Sequence, residues 1–422
     1  MFIEEFSFGN FRSFKEIQTL RMSAAKIVSP NKSLDEDNVI KIGDKTKLLK
    51  SKVIYGANAS GKSNVIKALF YFQLLSEFSL KDDRCLVTME RFRYSTENDN
   101  EPCFFQLIFY IDNIKYRYGF EASSEKIHNE WLFATHNERE INIFLREGLV
   151  ISKITKKYMP KAAEISNLKT KLLTDKVLFL SLVESFKDSL AETLIKGITS
   201  IYLYHNYIEN KNLENYVNEF LKDENNKNGV LKLLKYADVN IDQIDLQKVK
   251  NKQNEEEDLI ISIHSRYNEN MEKIDSISAV FNHFESDGTQ QMLKLSPFLL
   301  TALAQGAPVI IDEFGSQLHP LLIKKIFSLF NSNKNTKSQI IAATHTTELM
   351  SSDLLRKDQI DFVEKDKYGR SYLYTLVELK GVRNNASFEK DYFKGKYGAI
   401  PFLGNWEELL DVCDKTIEED EQ

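Results

Sequence analysis

The chain has 422 residues, 42% of them apolar and 28% charged, enough to bury the core of one large domain with an insertion or of two or three ordinary domains. No run of about 18 uncharged apolar residues occurs, and the start MFIEEFSFGN has neither a basic stretch nor an apolar one behind it, so the sequence predicts no membrane span and no secretory leader, and the cytoplasm is the expected compartment. A formal charge of −6 gives no global field favouring nucleic acid, and Cys85, Cys103 and Cys413 are too few and too scattered for a disulfide framework or a cysteine metal site.

In chain order, alternation from Met1 to Ser7 predicts a strand, and Val53-Ile54-Tyr55 predicts a buried one. The octet GANASGKS follows at 56–63, and then a helix with Val65, Leu69, Phe72 and Leu75 on one face. Cys103 to Ile111 and Lys115 to Glu121 alternate again, as antiparallel strands do. From Tyr158 to about Asp245 apolar residues fall at helical spacing, which predicts a helical insertion over 158–250 that separates 1–157 from 251–422. NKQNEEED is a polar break before a strand from Leu259 to His264. The last third then alternates a helix from about Thr289, a strand Pro308 to Asp312, a helix from about Pro320 and a strand Gln339 to Thr344. That order implies a parallel α/β sheet. There are no repeats and no sustained heptads, so no long coiled-coil arm is expected. Glu418 to Glu421 reads as a solvated tail, with a basic partner surface as the alternative.

Four stretches carry chemistry. GANASGKS fits GxxxxGK(S/T) in the context that pattern needs, a strand before it and a helix after it. Gly56 and Gly61 permit close approach. The N–H groups of Asn58, Ala59, Ser60 and Asn64 then help to cradle an anion at a helix N-terminus. Lys62 reaches the β- and γ-phosphates, and Ser63 offers a hydroxyl to Mg²⁺. The second stretch, Pro308 to Glu313, is an apolar strand ending in two acids. Strands ending this way are common, but beside a phosphate loop Asp312 becomes a metal-holding residue and Glu313 the base for an attacking water. In the third, Ser286 to Gln290, Ser286 caps the following helix and Gly288 leaves the first-turn amides open to an oxyanion. The bland alternative is a capped helix and nothing more. The fourth is Ile340 to His345, a strand whose terminal imidazole is placed to hydrogen-bond a γ-phosphate; a purely structural histidine is its alternative.

Taken in order, these stretches resemble the ABC-type ATPase heads of the SMC, RecF and OLD group. The resemblance implies an α/β fold, an ABC-type P-loop NTPase head with an antiparallel β lobe and the helical insertion. It makes GANASGKS the Walker A loop, Ser286, Gly288, Thr289 and Gln290 the signature acting in trans, Val309 to Glu313 the Walker B strand, and Glu313 and His345 the catalytic pair. Gly9 to Phe14 is similar to the first-strand corner of such heads, which brings Arg12 towards the nucleotide. There are departures. His319 stands where these heads carry a D-loop aspartate, and no Q-loop glutamine can be placed, Gln73 and Gln106 being candidates by residue type alone.

More narrowly, DEFGSQLHP and GVRNNASFEKDYFKGKYGAIPFL resemble stand-alone ATPases of abortive-infection phage defence. That implies ATP and Mg²⁺ as cofactors, a head-to-tail homodimer or higher homo-oligomer, a separately encoded effector such as a nuclease, a phage trigger protein and no membrane. The insertion, with the basic stretches Lys153 to Lys157 and Lys169 to Lys171, is the expected effector or trigger surface, or else a solvated helical layer. The alternatives are a RecF- or SMC-like repair ATPase that binds DNA in an ATP-dependent way, and a scaffold that binds ATP without hydrolysing it. A transport ATPase lacks its membrane segment here, and the stretch after His345 is too short for the nuclease domain of an OLD protein.

Overall fold

The structure is a computed structural model that describes residues 1–167, 172–205, 210–250, 256–383, 386–401 and 403–407. It begins with β1 (Phe2–Gly9), β2 (Gln18–Arg21), α1 (Leu34–Asp37), β3 (Val39–Ile42), β4 (Thr46–Leu49), β5 (Ser51–Tyr55) and α2 (Lys62–Phe78). Next come β6 (Cys103–Ile111), β7 (Ile114–Ala122), β8 (Ile127–His136), β9 (Arg139–Glu147), β10 (Val150–Ile154), α3 (Pro160–Asn167), α4 (Phe179–Ser185), α5 (Ser189–Thr199), β11 (Tyr202–Tyr204), α6 (Asn210–Leu221) and α7 (Glu224–Tyr236). The chain closes with β12 (Gln243–Lys250), β13 (Glu256–Tyr267), β14 (Lys273–Val280), α8 (Phe281–Phe284), α9 (Asp287–Gln305), β15 (Pro308–Ile311), α10 (Pro320–Asn331), β16 (Gln339–Ala343), β17 (Ile360–Lys365), β18 (Ser371–Thr375) and α11 (Phe388–Phe393).

Two large sheets organise these elements. A seven-stranded sheet has the order β10-β9-β8-β7-β6-β1-β2, antiparallel throughout. A six-stranded sheet has the order β11-β15-β16-β5-β17-β18, parallel except for β18. All five residues of β5 are buried, as expected of a parallel strand covered on both faces. Its Ile54 joins a core shared by α2 and the antiparallel lobe, in which Phe6, Phe8, Phe105 and Phe120 of the lobe meet Leu69 and Phe72 of α2. Val53 and Tyr55 face a second core with α9 and α10, built on Met292, Leu295, Ile323 and Phe327. Helix α2 therefore lies between the sheets, and the loop before it emerges where the parallel strands end. This is the α/β head with an antiparallel lobe that the sequence anticipates.

The stretch 158–250 is richer than a helical layer. Helices α4 and α5 pack on α2, and α6 and α7 on α9. Between these pairs the chain contributes β11 to the outer edge of the parallel sheet, and it ends in β12 of a three-stranded sheet with β13 and β14. A strand of three residues between strongly amphipathic helices is too short to show alternation. One buried network anchors the start of α4 to the lobe: Glu130 accepts from Phe179 N, Leu180 N, Tyr118 Oη and Arg146 Nη1, while Arg146 also donates to Val177 O and Thr174 O. Burial raises the Glu130 pKa, and Arg146 holds it back. Lys153, Lys156 and Lys157 are exposed. Lys169 to Lys171, Cys413 and the acidic tail lie outside the described residues. Among the described residues no helix is long and apolar enough to cross a membrane.

Candidate nucleotide site

The loop between β5 and α2 is shaped by close contacts. A Cβ on Gly56 would sit 2.3 Å from Val363 O, and one on Gly61 would sit 2.7 Å from Ser371 Oγ. Gly61 also has φ 119° as the residue entering α2, a backbone state that glycine adopts freely. Lys62 is buried, and its Nζ donates to Gly56 O at 2.9 Å and Ala57 O at 3.0 Å. Burial lowers its pKa to about 8, a shift that Asp312 and Glu313 oppose.

The acidic pair arrives on β15. Asp312 is 3% exposed, and its N–H donates to Tyr204 O of β11. Its Oδ1 accepts from Ser63 Oγ and from Glu313 N, both at 3.1 Å. Burial raises the Asp312 pKa, Ser63 opposes the shift, and the Glu313 charge adds to it. Glu313 is exposed and takes φ 52°, a conformation that costs a non-glycine residue of order 1 kcal/mol and that clusters at functional sites. Phe314 N donates to Ala343 O, which pins the turn beyond Glu313 to β16. At the end of β16, Thr344 Oγ1 donates to Phe314 O at 2.6 Å, fixing the backbone that presents His345. Partial burial and the Lys62 charge lower the His345 pKa, and Glu313 opposes them.

These groups meet. Asn58, Ala59, Gly61, Lys62, Ser63, Asn64, Asp312, Glu313 and His345 line one cleft of about 420 Å³. Gly56 and Ser60 shape the loop without lining that cleft. Arg12 reaches its border: Nη1 donates to Asn64 Oδ1 at 3.5 Å, while Nη2 pairs with Glu90 at 2.9 Å. Ser286, Gly288, Thr289 and Gln290 do not line it. Ser286 Oγ caps α9 by accepting from Thr289 N, Gln290 Nε2 donates to Glu285 O, and a Cβ on Gly288 would meet Gln317 O at 2.7 Å.

The glutamine candidates are occupied elsewhere. Gln73 Nε2 donates to Ile198 O and Ile201 O, and Gln106 Oε1 accepts from Trp131 Nε1 and Arg117 Nη1. His319 is the N-cap of α10, its Nδ1 accepting from Leu321 N with Pro320 in the first turn. One residue of the cleft carries no sequence motif: Lys365, at the end of β17, lines it. His205, directly after β11, lies outside that cleft, buried against Phe70; burial and the Lys67 charge hold its pKa down at about 4.

Among the described residues no group of three or more His, Cys, Asp or Glu side chains is placed to hold a metal alone. The Ser63 hydroxyl beside the Asp312 carboxylate is instead a hard-oxygen pair of the kind Mg²⁺ takes together with substrate phosphates.

A family model described as "AAA domain, putative AbiEii toxin, Type IV TA system" matches residues 53–154 and 170–351, more than half of the chain. The chain belongs to this family. It is therefore an AAA-type ATPase domain related to abortive-infection ATPases, with the two matched segments enclosing the phosphate loop, Asp312, Glu313 and His345. No curated protein matches it. Among solved structures, an SMC head bound to the C-terminal winged-helix domain of ScpA is 14% identical over 89% of this chain and 97% of that one, with a TM-score of 0.43. The SMC head domain from Thermotoga maritima is 14% identical over 89% and 99%, TM-score 0.42. An SMC head with an extended coiled coil, bound to the C-terminal domain of ScpA derived from Pyrococcus furiosus, is 13% identical over 89% and 96%, TM-score 0.40.

Proposed function

We propose that this AAA-family chain binds and hydrolyses ATP, that two copies close head to tail around the nucleotide, and that this cycle controls a separately encoded effector, a nuclease, in defence against phage. The observation that carries the reading is the convergence of Lys62, Ser63, Asp312, Glu313 and His345 on one cleft, while the capped start of α9 stays outside it. A cleft with phosphate and water-activating groups but without the α9 amides is completed by a second copy that brings Ser286 and Gly288. The arrangement is then isologous, each chain supplying both halves.

In this reading the loop amides and Lys62 hold the β- and γ-phosphates. Ser63 and Asp312 would hold Mg²⁺, which supplies charge neutralisation on the phosphate oxygens. Glu313 accepts the proton of a water as its oxygen bonds to the γ-phosphorus and the bond to the bridging oxygen of ADP breaks. His345 hydrogen-bonds the γ-phosphate and so distinguishes triphosphate from diphosphate. A ligand bound only by the closed pair stabilises that pair by about 2.7 kcal/mol at a hundredfold excess over its dissociation constant. Hydrolysis removes the bridge. The family description, with its toxin and toxin–antitoxin terms, supports a defence setting.

The test is light scattering of the purified chain with MgATP. Glu313→Gln is expected to accumulate as a nucleotide-bound dimer with turnover reduced about 10² to 10⁴-fold, and Lys62→Ala to stay monomeric. Undiminished turnover in both variants refutes the assignment.

A further inference from the structure

Lys365 is the last residue of β17, which lies beside β5 on the side away from β16. β17 runs parallel to β5 with Phe362 opposite Tyr55. The next step along both strands sets Val363 against Gly56, close enough that a Cβ there would meet Val363 O at 2.3 Å. Side chains alternate along a strand. Val363 is buried in the core shared with α2, so Lys365, two residues on, projects from that same face, over the loop.

Lys365 lines the candidate phosphate cleft together with Lys62, Asp312, Glu313 and His345. It also borders an adjoining cleft of about 340 Å³ walled by Asn58, Ala59, Asp366 and Ile400. Lys62 Nζ is held at Gly56 O and Ala57 O, the part of the loop that packs on β17. The two lysines therefore approach from the same side of the loop, where the outer phosphates of a triphosphate are expected. Lys365 is exposed, and among the described residues it has no ion pair or side-chain hydrogen bond. Asp312 and Glu313, by contrast, face the cation of Lys62 from β15.

We propose that Lys365 is a second cationic contact to the terminal phosphate of the nucleoside triphosphate, entering from β17 across the loop from the acidic pair. The inference deepens the ATPase reading above and rests on it. A charge-assisted hydrogen bond to a γ-phosphate oxygen discriminates triphosphate from diphosphate, because ADP offers no oxygen at that place.

The experiment measures binding of the β,γ-imido analogue of ATP and of ADP, each with Mg²⁺, to the full chain by calorimetry. Lys365→Ala is expected to weaken the analogue about tenfold and to change ADP by less than about twofold. Lys365→Arg should recover most of the loss, and Lys365→Glu should deepen it. The melting temperature of the unliganded chain should be the same in all, since the side chain is exposed and has no ion pair or side-chain hydrogen bond among the described residues. Unchanged analogue binding in Lys365→Ala overturns the proposal, and so does an equal loss for analogue and ADP. Lys62→Ala separates the two levels. If it abolishes binding while Lys365→Ala does not weaken it, only the Lys365 assignment falls. If the folded wild-type chain binds neither nucleotide, the ATPase reading falls with it.

Discussion

Ser63 Oγ donates to Asp312 Oδ1 at 3.1 Å, joining the first turn of α2 to the end of β15 across a sequence separation of 249 residues. The same oxygen accepts from Glu313 N, so one carboxylate fixes both the hydroxyl proposed to meet a metal and the backbone that presents the proposed base. Asp312 keeps this position while buried, at the cost of a raised pKa.

Asp312→Asn therefore separates metal binding from folding. The amide removes a buried charge, so the unliganded chain should be no less stable than wild type. The gain in ATP affinity that Mg²⁺ provides should fall about 10- to 100-fold, the range for a residue that orients a metal through its outer shell. Titrations with Mg²⁺ and with EDTA measure both arms. A variant that keeps the full Mg²⁺ dependence would remove Asp312 from the metal site.

If Lys62 holds the phosphates as proposed, nucleotide affinity should depend on pH. Its folded pKa, about 8, lies below its ordinary 10.5 because the protonated form is buried. Between those values the unfolded chain holds a proton that the folded chain has released, so the unliganded protein gains stability as pH rises through that window, and the contribution is flat below about 8. Phosphate binding runs the other way, because it needs the charged amine. Affinity for ATP should be level below pH 8 and weaken above it by up to about tenfold per pH unit. Lys62→Arg, charged throughout, should bind ATP with a flat profile over the same range.

What was legible in the sequence follows from how local each signal is. GANASGKS and Asp312-Glu313 each sit at a strand end with a helix beyond, so pattern and context lie within a few residues. His345 and the α9 start are visible for the same reason. β11 is different: Tyr202 to Tyr204 gain strand character only from pairing with Val309 to Ile311, which no window around residue 203 contains. Lys365 is hidden likewise, since its place over the loop comes from the β5 to β17 register and from Gly56 packing on Val363. Leu259 to His264 reads as an isolated strand because its partner β14, with six exposed residues, lacks the apolar alternation of a half-buried one.

His319, standing where a D-loop aspartate was expected, has a local task as the cap of α10. Aspartate is a strong capping residue. His319→Asp should leave stability unchanged or raise it by up to about 1 kcal/mol, whereas His319→Ala should lower it by about 1 kcal/mol. Thermal denaturation of the three proteins decides. A destabilised aspartate variant would mean that the imidazole has a further role in this turn.

Ser286 has two roles to separate, since its hydroxyl caps α9 within one chain and is proposed to meet a triphosphate held by another. Ser286→Ala loses the Thr289 N bond and should cost about 1 kcal/mol of stability whether or not nucleotide is present. Ser286→Asp keeps a capping acceptor and a favourable charge at the helix N-terminus, so the isolated chain should be as stable as wild type. Its carboxylate would oppose a γ-phosphate, and ATP-dependent dimerisation of the Glu313→Gln protein should vanish when the aspartate is added. Gly288→Ala probes the same surface from behind, because its methyl group would press on Gln317 O and overpacking of this kind costs about 1 to 3 kcal/mol. Light scattering with MgATP, read beside the melting temperature, distinguishes the cases: a Ser286→Asp chain that is stable and still dimerises would place the α9 start away from the nucleotide.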